Sequence, residues 1–201
     1  MIFIYRNKVN LVLVFLCLCA FVNSTSATPS ASNEMGGSLS FQLHILKEGW
    51  VQLKLGYKRE QSWTVLEKMN LEDSEFVFTE KDIDVYDWTK QSVVLTSEAS
   101  VRLRERFPKD KYLPIPLSQR GFVVTLEGEK FYGGIFLEPM SAMAISYPVI
   151  YPDTSQDKIV FSIRPVHSVL DQYQSMNPSL KATIEIQRIH DFFLKLGKLI
   201  K

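Results

Sequence analysis

Beyond residue 19 the sequence contains no cysteine. The two it has, Cys17 and Cys19, fall in an apolar stretch near the start, so the rest of the chain forms no disulfide, cysteine nucleophile or thiolate metal site. Long hydrophobic runs are also scarce. After Val22 none approaches the roughly 18 to 20 apolar residues that a spanning helix needs. Charge of one sign is missing as well: without Arg6 and Lys8 the sequence has 21 basic against 22 acidic side chains. That balance gives no support to a nucleic-acid or polybasic membrane role. No G-x-S-x-G elbow, phosphate loop or dinucleotide fingerprint occurs, and no internal repeat of solenoid length.

What is present begins with an address. Arg6 and Lys8 precede the apolar run Leu11 to Val22, and small residues Thr25 and Ala27 follow, the three parts of a secretory signal peptide. Residues 1–27 are read as that signal, with an uncleaved membrane anchor as the alternative, and residues 28–40, small and polar, as a flexible linker. Residues 41–201 are expected to form a single α+β domain, secreted or periplasmic. At 46% hydrophobic overall, a chain of this length can bury a sizeable core without disulfides.

Strand and helix periods then alternate. Phe41, Leu43 and Ile45 alternate with polar neighbours, as do Val51, Leu53 and Leu55 beyond the turn Lys47-Glu48-Gly49, which predicts a hairpin. Trp63–Leu66 reads as a strand or, through Val65 to Met69, as a helical turn, and Phe76–Phe78 as a short strand. Thr79 with Asp82 is a weak variant of a capping box. Asp84–Trp88 and Ser92–Leu95 predict a second hairpin. Ala99, Leu103 and Phe107 then recur every four residues, predicting a helix capped by Thr96 and ended before Pro108. Alternate prolines make residues 112–117 an extended connection. Phe122–Leu126 and Lys130–Phe136 flank Glu127-Gly128-Glu129, a third hairpin. Ile159–Arg164 resumes strand character, and residues 165–176 are open between loop and short helix. Asn177 and Pro178 start a last helix whose apolar stripe is Leu180, Ile184, Ile189, Phe193 and Leu196, stopped by Gly197. The expected fold is a mostly antiparallel sheet built from hairpins with a central and a C-terminal helix packed on it.

The run Thr79-Glu-Lys-Asp-Ile83, the junction Val93-Val-Leu-Thr-Ser-Glu-Ala99 and the hairpin Gly121-Phe-Val-Val-Thr-Leu-Glu-Gly128 with its apolar return through Ile135 resemble the periplasmic head of the protein-export component SecD, over residues 79–164. Asp82-Ile83, Tyr86-Asp87-Trp88 and Gly121–Tyr132 are similar to a group of uncharacterised exported bacterial proteins. The resemblance covers about a third of the chain and implies a head that is ferredoxin-like in part. SecD carries its head between transmembrane helices, which have no counterpart here, so a translocation motor role is not carried over.

Candidate chemistry is sparse. His44, His167 and His190 match no metal spacing. Asp82, Asp84 and Asp87 form D-x-D-x-x-D without the glycine-bearing loop of a calcium site, which favours capping and turn roles. Ser155 and Lys158 match S-x-x-K without its companion motifs. Arg102, Arg104, Arg106, Lys109, Lys111 and Arg120 are interleaved with acids and read as a solvated face. No catalytic, cofactor or metal residue is assigned. The flexible apolar segment holding Met140, Met143, Ile145 and Tyr147 is the candidate partner surface, methionine adapting to varied partners; burial beneath the sheet is the competing reading.

These features point to a non-enzymatic binding or assembly module of the cell envelope with a protein or envelope-component partner. An envelope hydrolase using His167 with a distant carboxylate and a protein-export accessory factor are the alternatives. Signal peptidase acting on the precursor is expected to yield a new N-terminus at Thr28, read by N-terminal sequencing; retention of Met1 would contradict cleavage.

Overall fold

Alternating strands must lie side by side to bury their apolar faces, and in this chain they join into one sheet. A computed structural model describes residues 40–49, 62–108, 117–168 and 172–200. The strands are β1 (Phe41–Leu46), β2 (Ser74–Thr79), β3 (Ile83–Asp87), β4 (Ser92–Leu95), β5 (Gly121–Leu126), β6 (Glu129–Phe136), β7 (Val149–Asp153), β8 (Val160–Arg164) and β9 (Leu199–Ile200). Their order across the sheet is β2-β1-β5-β6-β7-β8-β4-β3-β9. All pairs are antiparallel except β6 with β7 and β3 with β9. The helices are α1 (Ser62–Lys68), α2 (Ser97–Arg106), the single turn α3 (Pro178–Lys181) and α4 (Gln187–Lys195). The fold is α+β, and no helix among the described residues is long and apolar enough to cross a membrane.

The sheet curls into a half-barrel. β2 and β3 lie near opposite ends of the strand order, yet only residues 80–82 separate them in sequence. Inside, rings pack across the curve: Phe122 to Phe136 at 5.6 Å, Phe136 to Phe161 at 5.5 Å and Phe161 to Phe78 at 5.8 Å between centroids. Ala99 and Leu103 of α2 and Ile189 and Phe193 of α4 join the same core. The residual void in the interior is about 10 Å³, no more than one water molecule requires, so the half-barrel is filled by its own side chains.

A second apolar layer covers the outer face of β1, β5, β6 and β7. Leu46, Val123, Ile135 and Val149 pack there against Val65 of α1 and Met69 just after it, and against Leu137, Ile145 and Tyr147 of the loop after β6. Buried on both faces, β5 reads as an apolar run broken only by Thr125.

The expected hairpins at 83–95 and 121–136 both form, and both lie in this sheet. Thr96 caps α2, its hydroxyl accepting from the Ala99 amide at 3.2 Å. The turn of the third hairpin is two residues, Glu127 and Gly128, both at positive φ, as a primed turn demands. β1 is paired on its two edges by β2 and β5; the expected strand 51–55 lies outside the described residues, as do 1–39, 109–116 and 169–171. The segment from Ser62 is the helix α1, so the strand alternative at Trp63–Leu66 does not hold.

Three features depart from expectation. β7 is a strand although Pro152 sits in it. Ile150 turns its carbonyl toward β6, and so does position 152 by alternation; the missing proline amide could only have bonded the Leu137 carbonyl just beyond β6, so it ends the parallel pairing there without interrupting it. The last helix is not continuous. Asn177 caps α3, accepting from the Ser179 amide at 2.8 Å, but β-branched Thr183, Ile184 and Ile186 disfavour helix, and the Thr183 hydroxyl donates to the Leu180 carbonyl instead. Ile184, Ile189 and Phe193 are buried, whereas Leu180 and Leu196 are exposed. Beyond Gly197 the chain adds β9, with Tyr86 and Trp88 amides donating to Lys198 and Ile200 carbonyls.

Phe193 is fully buried, 4.9 Å from Phe41 and 5.2 Å from Tyr86 between ring centroids. Phe193→Ala is expected to cost about 3 to 5 kcal/mol in a denaturant melt; a loss under about 1 kcal/mol would mean that α4 is not docked.

Candidate functional site

The candidate partner surface divides on folding. Met140 is 93% exposed and Met143 is half-buried, while Ile145 and Tyr147 are 8% and 4% exposed and belong to the outer apolar layer. The four therefore do not make one exposed patch. Ile145 and Tyr147 hold the loop to the sheet, and Met140 remains available for contact.

His167 fastens that same loop. Its Nε2 donates to the Ser141 carbonyl at 2.9 Å, its Nδ1 meets the Tyr151 hydroxyl at 2.5 Å, and its backbone pairs with Ile145. Neither ring partner is a carboxylate. His44 is buried between Gln42 Oε1 at 3.1 Å and Ser74 Oγ at 3.0 Å. His190 lies edge-on to Trp88 and pairs with Asp191.

The aspartates separate. Asp82 accepts from the Thr79 amide at 2.8 Å and from Arg102 at 2.6 Å, Asp84 pairs with Lys158 at 2.7 Å, and Asp87 pairs with Lys90 at 3.0 Å. The Ser155 hydroxyl donates to Asp153, not to Lys158. Among the described residues no group of three or more His, Cys, Asp or Glu side chains is placed to hold a metal ion. Arg106 pairs with Glu75 and Arg120 with Glu75 and Glu48, while Arg104 donates to the carbonyls of Gln156 and Asp157. These arginines bind α2 and its surroundings to the sheet; Lys109 and Lys111 lie outside the described residues.

The least completed part of the sheet lies elsewhere, where the β6–β7 ladder breaks off. The two strands are paired only at Ile135 with Val149 and Phe136 with Ile150. The Ile135 amide donates to the Pro148 carbonyl at 3.2 Å and the Leu137 amide to the Ile150 carbonyl at 2.9 Å. By the two-residue alternation of a strand, Gly133 faces the same way. The next rung would need an amide hydrogen on Pro148 for the Gly133 carbonyl, and proline has none. The close approach just before the break is fixed by Gly134, where a Cβ would stand 1.7 Å from the Pro148 oxygen.

Past the break a groove of about 260 Å³ opens. Leu66 of α1, Phe131 and Gly133 of β6, and Pro148 line it on one side, with Ala182, Thr183 and Ile186 opposite. Ile186 is extended, at φ −84° and ψ 113°. Tyr132 adds its ring to the wall and hydrogen-bonds Tyr86 in the interior; burial pushes both phenols far above their ordinary value, so the pair stays neutral. The groove thus has the buried Gly133 at its floor between largely apolar walls. Sequence reasoning missed it; the Gly133-Gly134 pair and the proline after Tyr147 were its local signs, but their meeting is tertiary.

Comparison of the chain with protein-family models, with curated proteins and with solved structures finds no match.

Burial holds the His44 imidazole below its ordinary value of 6.5. The unfolded chain therefore binds the extra proton more readily, and this contribution to stability, complete above 6.5, is lost as pH falls below it. Between about pH 7.5 and 5.5, His44→Gln is expected to lose less melting temperature than the parent protein; equal losses would show that His44 is not the group responsible.

Proposed function

We propose that the protein is an exported binding module of the cell envelope that captures an extended polypeptide segment in the groove beside β6, by contact and without covalent chemistry. The observation that carries this reading is the ladder left open at Gly133 and Pro148. An extended peptide laid along β6 would accept from the Gly133 amide and donate to its carbonyl, extending the sheet by strand addition, while alternate side chains enter the apolar walls. Main-chain bonds of this kind give affinity for many sequences, and the walls choose among them. Met140, exposed on the connection that ends at Pro148, would add a contact under this reading.

The leader-like N-terminal pattern supports export. Under this reading the partner is a protein, and a protein-export accessory differs only in using the same groove for an unfolded precursor in transit. Ala182 is exposed on the groove wall, and Ala182→Trp fills the space. With fluorescently labelled peptides drawn from envelope proteins and exported precursors, that variant is expected to bind about tenfold more weakly, roughly 1.4 kcal/mol, at an unchanged melting temperature. Equal affinity in parent and variant would remove the groove as the site.

A further inference from the structure

The groove beside β6 is bounded at both ends. A polypeptide laid along β6 at Gly133 is stopped in one direction by β7, which pairs with Ile135 and Phe136. In the other direction, two and four residues back along the strand, stand Phe131 and Glu129, about 7 and 13 Å away at the ordinary strand rise. One side chain holds both. Arg188, in the first turn of α4, donates through Nη1 to Glu129 at 2.5 Å and through Nη2 to Glu127 at 2.8 Å, and its guanidinium lies 5.0 Å from the centre of the Phe131 ring. Phe131 lines the groove. Arg188 stands beyond that lining, bridging from α4 to the turn between β5 and β6.

This clasp costs little to undo. The side chains of Arg188, Glu127 and Glu129 are 48%, 39% and 59% exposed, and ion pairs so exposed are weak and screened by salt. The wall behind the clasp is fixed by other means. Ile184 and Ile189, on either side of Ile186, are fully buried, and the amides of Thr183, Ile184, Glu185 and Ile186 donate to the carbonyls of Leu180, Lys181, Lys181 and Ile184. None of these four bonds reaches β6. The Arg188 side chain is therefore free to leave its partners while the main chain around it stays in place.

From this geometry we infer that Arg188 is a gate on the groove and sets the length of extended polypeptide that the groove takes. The inference rests on the peptide-capture reading above and adds a control to it. With the clasp closed, the run of β6 open to a partner ends at Phe131, and a bound segment is confined to the few residues that face Gly133. With Arg188 swung away, the Phe131 ring is uncovered and the segment continues along β6 toward Glu129. The closed clasp competes with the longer segment, so the apparent affinity falls with the fraction of molecules in which the gate is shut. Shorter segments do not reach the clasp and are indifferent to it.

The test uses the chain from residue 28 onward and two acetylated probes, the tripeptide Val-Thr-Val and the hexapeptide Val-Thr-Val-Thr-Val-Thr, both uncharged and suited to strands. Binding is followed by amide chemical shifts. Arg188→Gln is expected to bind the hexapeptide about fivefold more tightly than the parent protein, about 1 kcal/mol, with added shifts at Phe131 and Glu129, and to bind the tripeptide with unchanged affinity. The double variant Glu127→Gln, Glu129→Gln opens the clasp from its other side and is expected to match, which separates release of the clasp from loss of the arginine. Without peptide, raising salt from about 50 to about 500 mM is expected to increase hydroxyl-radical oxidation of Phe131 about twofold in the parent and not in Arg188→Gln, with the buried Phe161 unchanged in both. Hexapeptide affinity that neither variant alters, or a Phe131 that salt leaves unchanged, overturns the gate alone. Failure of both peptides to bind any of these forms removes the capture reading and the gate with it.

Discussion

Asp82 sits in the link that compels the sheet to curl. Its carboxylate accepts from the Thr79 amide and hydroxyl and from Arg102 of α2, and its carbonyl accepts the Thr96 amide at the start of that helix. One side chain thus tightens the turn between β2 and β3 and docks the helix that closes one part of the interior. A three-residue link cannot span a flat sheet of this many strands, so the ends must approach. The curl in turn gathers apolar positions from eight strands and two helices into one core.

Coverage of the outside is uneven, and the groove beside β6 lies where it stops. Over β1, β5, β6 and β7 the outer face is sealed by α1 and by the loop that His167 clasps. At Pro148 the seal and the ladder end together, leaving a groove between apolar walls over Gly133. On β4 and β8 the outward positions Ser92, Val94, Val160, Ser162 and Arg164 are partly buried and mix polar with apolar side chains, in contrast to the fully buried β5. The same sheet therefore carries one outer face sealed by apolar side chains and another of mixed character.

The elements set by local chemistry were legible in the sequence. The two central hairpins, the Thr96 cap, the Thr79–Asp82 turn and the Asn177-Pro178 start each depend on residues within a few positions of one another. Nonlocal choices were not. Pro152 argues against a strand until the partner strand is known to stop short of it. Leu180 and Leu196 complete a helical stripe on paper, but the β-branched run at 183–186 breaks the helix and turns both outward. Ile145 and Tyr147 look like a mobile apolar surface until the outer layer that buries them is seen. The groove beside β6 has no linear signature, because Gly133, Pro148 and Ala182 are neighbours only after folding.

The pairing scheme also sets a clock. Gln42 is matched with Thr79, Phe41 with Leu126, Ser92 with Ser162 and Asp87 with Ile200, so nearly half of the ladder waits on loops of many tens of residues. Topologies dominated by such distant partners collapse to the native state on the order of milliseconds to seconds, not microseconds. For that interval the strands that later share the half-barrel are unpaired and open to proteases, chaperones and other copies of the chain.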